Sequence, residues 1–432
     1  MGITVIWVPI LLILKMTNIT ITNLTNINKY IFVYFLAFQV LTLDSMAAFN
    51  HHLPKIIYFT HKTINLKKPT NKTKKSTVKK INIPKHKLTK TTKIYSPTEY
   101  INQLKDYNET YGIKLRTFHG PLNINLLDLD LNKVKIQPAL SSQTFGHLAT
   151  LSDIAKSHHA LAAVNANYFK NSGIPLGTLI INNQWITGPI FNRIAIGIDN
   201  QANLFMNNTN FHATLYSSNP KIFKYWINNL NQPRRSGSRA IIYNNFWGDV
   251  LELKANSLVI SVAKNGKVTD ITKSSKVMIP QNGYLISDRC NSPLNNLHIG
   301  DYIFCTYESC PTSWNTMKEA ISGGPCLIKN GKLFLDLKAE NFRNSWTSSK
   351  INARTAIGYS RNNHLYIATI EGHHSLWDLA KFMKNIGVEN ALNLDGGGST
   401  SMILGNKVLT HHKNQRKIET ALLVLPKDIQ NN

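Results

Sequence analysis

The chain has 432 residues, of which 43% are hydrophobic, and its 49 Lys and Arg outnumber 23 Asp and Glu, giving a net charge of +26. This length and apolar content exclude wholesale disorder and suffice for one large domain or two ordinary ones. The charge is unevenly spread: thirteen lysines lie between Lys55 and Lys93, and no acidic residue occurs from 51 to 97. About half of the excess charge therefore belongs to one local segment.

Two apolar runs, Ile3–Leu14 and Tyr30–Leu43, open the chain. Each is shorter than the roughly 20 residues that a membrane-spanning helix needs, but each fits the apolar region of an export signal. Lys29 precedes the second run, and Ser45–Ala47 follows it with the small-x-small pattern that a signal peptidase accepts. Residues 1–48 are therefore predicted to be an export signal or an N-terminal membrane anchor. The protein is expected to be periplasmic, associated with the cell envelope or secreted.

Residues 49–98 mix Lys, Thr, Asn, Pro and His with little apolar periodicity. Such a segment cannot bury enough apolar surface to offset the entropy of ordering, so it is predicted to be a basic, disordered linker. Either it is a solvated tether, or residues 51–98 bind an anionic envelope polymer or lipid. Nucleic acid is not a predicted partner, because the lysines lack the interleaved aromatic residues that stack on bases.

Residues 99–432 are predicted to form a single large domain of α+β class, with mostly antiparallel or mixed β-sheets flanked by a few helices. Short segments rich in β-branched residues predict strands, and the dipeptides Asn265-Gly266 and Asn330-Gly331 predict tight hairpins. The clearest strand candidates are Lys133–Ile136, Leu258–Val262, Val277–Ile279 and Leu365–Ile370.

Two helices with similar starts are predicted, at Thr150–Lys156 and Ser375–Lys381, and the second carries a capping box and ends at Gly387. Each is followed by an apolar strand that ends in polar residues, Ala162–Asn167 and Ala391–Asp395. Either these are two related half-sites that converge on one cleft, or any capped amphipathic helix would look like this.

The strongest local motif is a buried-type strand that ends in a carboxylate followed by three glycines. Glycines let a ligand approach the backbone closely, and a carboxylate at a strand end is suited to catalysis or to orienting a ligand. The alternative is a tight turn in which the carboxylate makes a turn hydrogen bond. The candidate residues are Asn393, Asp395, Gly396, Gly397, Gly398 and Ser399.

A second glycine loop contains Ser322, Gly323 and Gly324, whose backbone amides are candidates for cradling a phosphate. The loop lacks the lysine and following helix of a P-loop, which argues against nucleotide binding. Asn165 and Asn167 end a predicted strand. They are candidates for hydrogen bonds to sugar hydroxyls, unless they only cap the strand.

Arg354 and the adjacent Thr355 lie among small and apolar residues. A guanidinium there can bind phosphate bidentately, or it can form a structural ion pair, with Glu371 as the suggested partner. His373 and His374 follow that glutamate, but adjacent residues on an extended strand point in opposite directions and rarely share one ion. No metal and no cofactor is predicted.

The four cysteines are Cys290, Cys305, Cys310 and Cys326, and they lack zinc-ligand spacing. In an exported protein their even number permits disulfides, in any of three pairings. Cys326 fits equally well as a small buried hydrophobic residue.

Taken in order, these segments resemble the phosphodiester glycosidase family, from about Leu126 to Leu425. The match is densest in Ala353–Gly358 and Asn390–Ser399, and it includes Ile321–Pro325 and Gly173–Gly177. Two segments depart from the family pattern. Asn165–Phe169 replaces a common Asn-Gly-Gly-Phe-Phe, and Glu371–Ser375 is shortened and lacks the arginine of the family's Asp-Gly-Arg segment.

The resemblance implies an exported glycoside hydrolase that cleaves a sugar-1-phosphodiester or a related envelope or exopolysaccharide glycan. Arg354 and the amides of the loop Ser322–Gly324 would neutralise the phosphate, and Asp395 would support the anomeric centre with Glu371 as partner carboxylate. The other candidates listed above would contact the substrate. The alternative is a non-catalytic glycan- or cell-wall-binding envelope protein that uses the same cleft.

Overall fold

The structure is a computed structural model that describes residues 105–427, apart from 121, 236, 254–256, 343–351 and 411–414. The chain divides into two units, Met1–His86 and Lys87–Asn432, and all described residues belong to the second. The predicted export segment and basic linker lie outside the described residues, so both stay predictions. Within the described part, no helix combines the length and apolar character needed to cross a membrane.

The largest sheet is antiparallel and has seven strands; all strands are numbered in chain order. Its spatial order is β1 (Ile113–Phe118), β2 (Asn123–Asp130), β23 (His364–His374), β22 (Asn352–Tyr359), β24 (Asn390–Asn393), β20 (Cys326–Lys329) and β21 (Lys332–Leu333).

Two further antiparallel sheets have five strands each. One runs β26 (Lys407–Val408), β25 (Met402–Leu404), β4 (Ala162–Asn165), β27 (Thr420–Pro426) and β3 (Val134–Leu140). The other runs β6 (Gln184–Thr187), β5 (Leu179–Ile181), β19 (Met317–Ser322), β7 (Ile194–Asp199) and β8 (Leu204–Asn208). Buried side chains from all three sheets share one core, which includes Ile357, Val164 and Ile196. This core brings the ends of strands from different sheets together.

The remaining described strands form three more sheets, two of which share a second core that includes Ile260 and Leu215, while the third packs in a separate cluster with Leu251 and Val277. One sheet runs β11 (Asn229–Leu230), β12 (Ile241–Asn244), β17 (Tyr284–Arg289), β14 (Ser257–Val262) and β15 (Val268–Thr272). The others are β10 (Lys224–Ile227), β9 (Asn210–Ser217) and β18 (Ile303–Cys310), and the pair β13 (Val250–Glu252) and β16 (Lys276–Met278).

The described α-helices are α1 (Lys105–Tyr111), α2 (Leu151–Ser157) and α3 (Leu376–Asn385). The predicted capping box is confirmed, because the Ser375 hydroxyl accepts from the Asp378 amide and the Asp378 carboxylate accepts from the Ser375 amide. Helix α3 buries Leu379 and Met383 against the seven-stranded sheet. Short 3₁₀ turns occur at Pro220–Ile222, Asn245–Trp247, Pro293–Asn296, Thr312–Thr316 and Gly397–Ser399.

The predicted α+β class is confirmed, since antiparallel sheets dominate and the described helices are few. Both predicted hairpins form, joining β14 to β15 and β20 to β21. Asn330 and Gly331 adopt φ values of 50° and 73°, as a two-residue hairpin turn requires. Cys305, Cys310 and Cys326 carry free thiols, and Cys326 is the small buried residue that one interpretation expected.

Candidate active site

Asp395 lies at the junction of two sheets. It follows β24 of the seven-stranded sheet, and its backbone N–H donates to the Ala166 carbonyl oxygen at 3.1 Å, just beyond β4 of a five-stranded sheet. The Asn165 amide Nδ2 donates in turn to the Asp395 carbonyl oxygen at 2.6 Å. The two polar strand ends predicted from the sequence therefore do converge on one place.

The Asp395 carboxylate is half-buried and held by local donors. Its Oδ1 accepts from the Gly396 amide at 3.0 Å, and the Ser399 hydroxyl also hydrogen-bonds to it. Burial raises the pKa of Asp395 to about 6, although these two hydrogen bonds and the nearby charge of Arg416 oppose the shift. Both protonation states are accessible near neutral pH, which suits a group that must act as base, nucleophile or electrostatic stabiliser.

Arg416 lies near this carboxylate, and Arg354 lies next to Gly396 and acts on Tyr168. A Cβ at Gly396 would lie 2.9 Å from the Ala353 carbonyl oxygen, so a glycine lets this strand approach closely, and Arg354 Cδ lies 3.8 Å from the same point. Arg416 donates through Nη1 to the Ser399 hydroxyl at 3.1 Å, and that hydroxyl is bonded to Asp395. The charge of Arg416 thus acts on the Asp395 carboxylate, and that of Arg354 acts on the neighbouring Tyr168.

Glu371 lies on β23, the strand next to β22. The partner of Arg354 across this pair is Ile370, so Glu371 is one residue further along. The strand β22, which carries Arg354, lies between β23, which carries Glu371, and β24, which precedes Asp395. Neighbouring strands are about 4.8 Å apart.

Asn165 and Thr355 are buried and hydrogen-bonded inside the protein. Asn165 is 1% exposed, and its Oδ1 accepts from the Thr355 hydroxyl at 2.9 Å and from the Ser401 amide at 3.1 Å. Asn167 is equally buried and donates to the Thr178 carbonyl oxygen at 3.1 Å. Asn165 and Thr355 thus bond to each other next to Asp395, and Asn167 bonds to the segment before β5. The sugar contacts expected of Asn165 and Asn167, and the substrate contact expected of Thr355, stay predictions.

The loop at Ser322–Gly324 is likewise engaged within the protein. The Gly323 amide donates to the Ile194 carbonyl oxygen at 3.2 Å, and the Gly324 amide donates to the Asn393 carbonyl oxygen at 2.6 Å. The buried Ser322 hydroxyl also donates to the Ile194 carbonyl oxygen. A Cβ at Gly323 would lie 2.2 Å from the Asn393 carbonyl oxygen, so this glycine permits close packing. The anion-cradling role expected of these amides therefore does not fit.

Tyr168 is part of the site although no sequence motif singled it out. Its hydroxyl donates to the Gly324 carbonyl oxygen at 2.9 Å and accepts from Asn393 Nδ2 at 2.8 Å. Burial, reinforced by the negative charge of Asp395, raises the pKa of Tyr168, so the phenol is neutral. Asn393, predicted to contact substrate, is 1% exposed and fixes this phenol instead.

Arg193 adds a third positive charge beside Tyr168. Its guanidinium carbon lies 5.3 Å from the centre of the Tyr168 ring and 4.2 Å from that of Phe342. Buried Glu340 is close by, and its carboxylate accepts from the amides of Cys326 and Ile194 at 2.7 Å and 3.4 Å. Burial raises the pKa of Glu340 to about 6, with Arg193 opposing the shift. Neither Arg193 nor Glu340 lies in a recognisable local motif.

The structure thus brings together Asp395, Arg354 and the segment Gly396–Ser399 from the predicted set, and adds Tyr168, Arg193 and Arg416. Among the described residues, no group of three or more His, Cys, Asp or Glu is arranged to hold a metal ion.

Comparison with known proteins bears on the same region. Residues 258–425 match the family described as phosphodiester glycosidase. N-acetylglucosamine-1-phosphodiester alpha-N-acetylglucosaminidase is 29% identical in Mus musculus and 31% identical in Homo sapiens over 110 residues, which are 22% of this chain. The chain matches only 21% of the length of these relatives.

The fold also resembles a solved structure, a hypothetical protein from Synechocystis, with a TM-score of 0.67 and 26% identity. The match covers 73% of this chain and 62% of the other. The resemblance expected from the motifs is therefore confirmed, and this chain carries, over residues 258–425, the match to the phosphodiester glycosidase family.

Proposed function

We propose that this chain is a glycoside hydrolase that cleaves a sugar-1-phosphodiester, at the bond between the anomeric carbon and the phosphate oxygen. The observation that carries the proposal is the half-buried Asp395, whose pKa is raised to about 6, with Arg416 bonded to its partner Ser399 and Arg354 next to Gly396. The carboxylate suits the reacting anomeric carbon of such a substrate, and the guanidinium groups suit the phosphate attached to that carbon.

Water replaces the phosphate at the anomeric carbon in this reaction, which releases a free sugar and a phosphate monoester. Phosphate leaves more readily than a sugar alkoxide, so the main requirement is to neutralise the charge that develops on its oxygens. Arg354 and Arg416 suit this task, because a guanidinium matches phosphate with two parallel hydrogen bonds.

Asp395 is suited to the sugar side of the bond. An oxocarbenium-like transition state is stabilised by a nearby carboxylate, which acts as nucleophile, as base toward water, or by charge alone. Glu371 is the candidate partner carboxylate. Nuclear magnetic resonance of the first-formed anomer distinguishes these roles, because retention requires a nucleophile whereas inversion requires a base.

The test is a screen of the purified full chain against sugar-1-phosphodiesters, UDP-sugars and neutral aryl glycosides, with the released sugar measured. Turnover of a phosphodiester is expected to fall by about 10²- to 10⁴-fold in Asp395→Asn and Arg354→Ala. Arg361→Ala is the matched control, since Arg361 is paired with Glu389 on the surface. Wild-type rates in both variants would contradict the proposal. Sugar binding without turnover of any substrate would favour the non-catalytic glycan-binding alternative.

We also propose that the protein is exported and acts on an envelope or exopolysaccharide glycan. The support is the pair of apolar runs and the small-x-small segment Ser45–Ala47. Cell fractionation with and without residues 1–48 tests this, and an unchanged cytosolic location would contradict it. Deleting residues 51–98 tests adhesion to anionic polymer or lipid, and unchanged salt-sensitive binding would contradict that role for the segment.

A further inference from the structure

A basic cleft includes Lys170, which lies two residues after Tyr168 of the candidate active site. This cleft has a volume of about 690 Å³ and is lined by both basic and aromatic side chains. We call it the arginine cleft and define it by Lys170, Arg234, Arg235, Tyr243, Trp247 and Arg289.

No acidic residue among the described residues that line the arginine cleft neutralises the charge of its arginines. Glu252 is the acidic residue in the lining, and its carboxylate is already paired with Lys276 at 3.0 Å. Within the described residues, neither Arg235 nor Arg289 forms a salt bridge. Both side chains are exposed, so they can reach a ligand.

Arg234 lines the cleft with its side chain held in place by hydrogen bonds. Its guanidinium donates to the carbonyl oxygens of Arg239 at 2.9 Å, Ser287 at 3.0 Å and Ser238 at 2.9 Å. These acceptors are neutral, so they hold the loop and the end of β17 together and leave the charge of Arg234 in place.

Arginine is also scarce in this chain, which has 10 arginines against 39 lysines. Three of the 10 line this one cleft, and Arg239 lies on the same loop. Guanidinium groups bind phosphate in a fixed bidentate geometry that lysine cannot reproduce. The choice of arginine therefore indicates recognition of a shaped anion rather than general basicity.

A path of cations and rings joins the arginine cleft to Asp395. The Arg235 guanidinium lies 3.7 Å from the centre of the Phe191 ring, and Arg193 lies 5.4 Å from the same ring. Arg193 in turn covers Tyr168, which is hydrogen-bonded to Asn393, two residues before Asp395. Lys170, on the cleft wall, follows Tyr168 by two residues.

We propose that the arginine cleft is a second anion-binding subsite, which holds a further phosphodiester on the leaving-group side of the bond cleaved at Asp395. This rests on the proposed function and names its substrate class, a glycan with successive phosphodiester links. A substrate with one phosphate uses the site at Asp395 alone, whereas a longer polyanion occupies both.

The experiment compares two substrates of the full chain with the same sugar-1-phosphodiester and different leaving groups. One leaving group is neutral, and the other carries a second phosphodiester. At low salt the KM is expected to be about tenfold lower for the substrate with the second phosphodiester, because one charge-assisted hydrogen bond provides a free energy of that size. In Arg289→Ala this preference should largely disappear, in Arg289→Lys it should be partly retained, and in Arg361→Ala it should persist.

A binding measurement separates this inference from the proposed function. Titration calorimetry with a synthetic oligomer of three glycerol phosphate units should give about tenfold weaker binding in Arg289→Ala than in wild type, whether or not the oligomer is cleaved. Hydrolysis of both substrates with equal KM would overturn the subsite and leave the proposed function standing. Hydrolysis of neither substrate, with oligomer binding that still depends on Arg289, would overturn the function and leave the anion site. Identical oligomer binding in both proteins would overturn the subsite.

Discussion

Asn165 Nδ2 lies 2.6 Å from the Asp395 carbonyl oxygen, although 230 residues separate the two along the chain. The candidate carboxylate is therefore positioned by a strand end far from it in sequence. The Asn165 carbonyl group of the side chain also accepts from Thr355 and Ser401, so one buried amide ties together three segments that meet at the site.

Asn165→Ala is expected to lower both stability and kcat. It leaves the buried Thr355 hydroxyl and Ser401 amide without their acceptor, and each such group costs about 1–3 kcal/mol. Because Asn165 acts through the position of Asp395, kcat should fall more than KM rises. Urea denaturation and steady-state kinetics measure the two effects. Thr355→Val, which removes only one donor, is the matched control and should show a smaller loss. An Asn165→Ala protein with unchanged kcat would refute the positioning role.

The pH–rate profile should have an acid limb near pH 6, because Asp395 must be ionised to act and its pKa is raised to about 6. Arg416 opposes that shift, so Arg416→Ala should move the limb to higher pH, whereas Arg416→Lys should move it less. The measurement is kcat/KM from pH 4 to 9. A limb at the same pH in wild type and Arg416→Ala would show that Arg416 does not act on this carboxylate.

Asp395→Asn is expected to stabilise the fold above pH 6 while lowering turnover by about 10²- to 10⁴-fold. The folded pKa of Asp395 lies above the value of 3.8 for an unperturbed aspartate, so its contribution to stability is complete below pH 3.8 and is lost as the pH rises through 6. The neutral amide avoids that loss, which is of the order of 1–3 kcal/mol. Thermal unfolding at pH 4 and pH 7.5 measures it. A variant that is less stable than wild type at pH 7.5 would contradict the prediction.

Glu419→Gln should flatten the dependence of stability on pH between about 4.5 and 8. Glu419 is 0% exposed and accepts from the Gly146 amide at 3.3 Å, and burial raises its pKa to about 8. The stability that this group contributes is complete below its unfolded pKa of about 4.5 and is lost as the pH rises through 8. Wild type should therefore lose melting temperature between about pH 4.5 and 8, and Glu419→Gln should lose less. Exposed Glu308 provides the control variant, Glu308→Gln. Parallel curves for Glu419→Gln and wild type would contradict this assignment.

Local signals in the sequence predicted the features that depend on neighbouring residues. Ser375 and Asp378 form a capping box within four positions, and Asn330-Gly331 forms a hairpin turn within two. The strand that delivers Asp395 to a run of glycines is equally local. Such features can be predicted from the sequence because the residues that interact are close in the chain.

The residues that surround Asp395 could not be predicted from local sequence patterns. Arg193 and Arg416 reach the site because separate sheets pack together. A single arginine produces no periodicity or motif in the sequence that would identify it. Asn165 and Asn167 were predicted to contact sugar because a polar residue at a strand end gives the same sequence pattern whether it faces a ligand or another strand. Only their burial and hydrogen bonds distinguish the two cases.

The strand β27 lies between β3 and β4, and it is synthesised after every other described strand. Until the ribosome has released residue 426, β3 and β4 have no strand to join them, and Asn165 has no partner at Ala421. Pairings between residues this far apart give a high contact order, which slows folding. The nascent chain consequently spends most of its synthesis with open edges on β3 and β4. A premature stop shortly before Thr420 would keep Asp395, Arg354 and Arg416 yet leave β4, which carries Asn165, unpaired with β27.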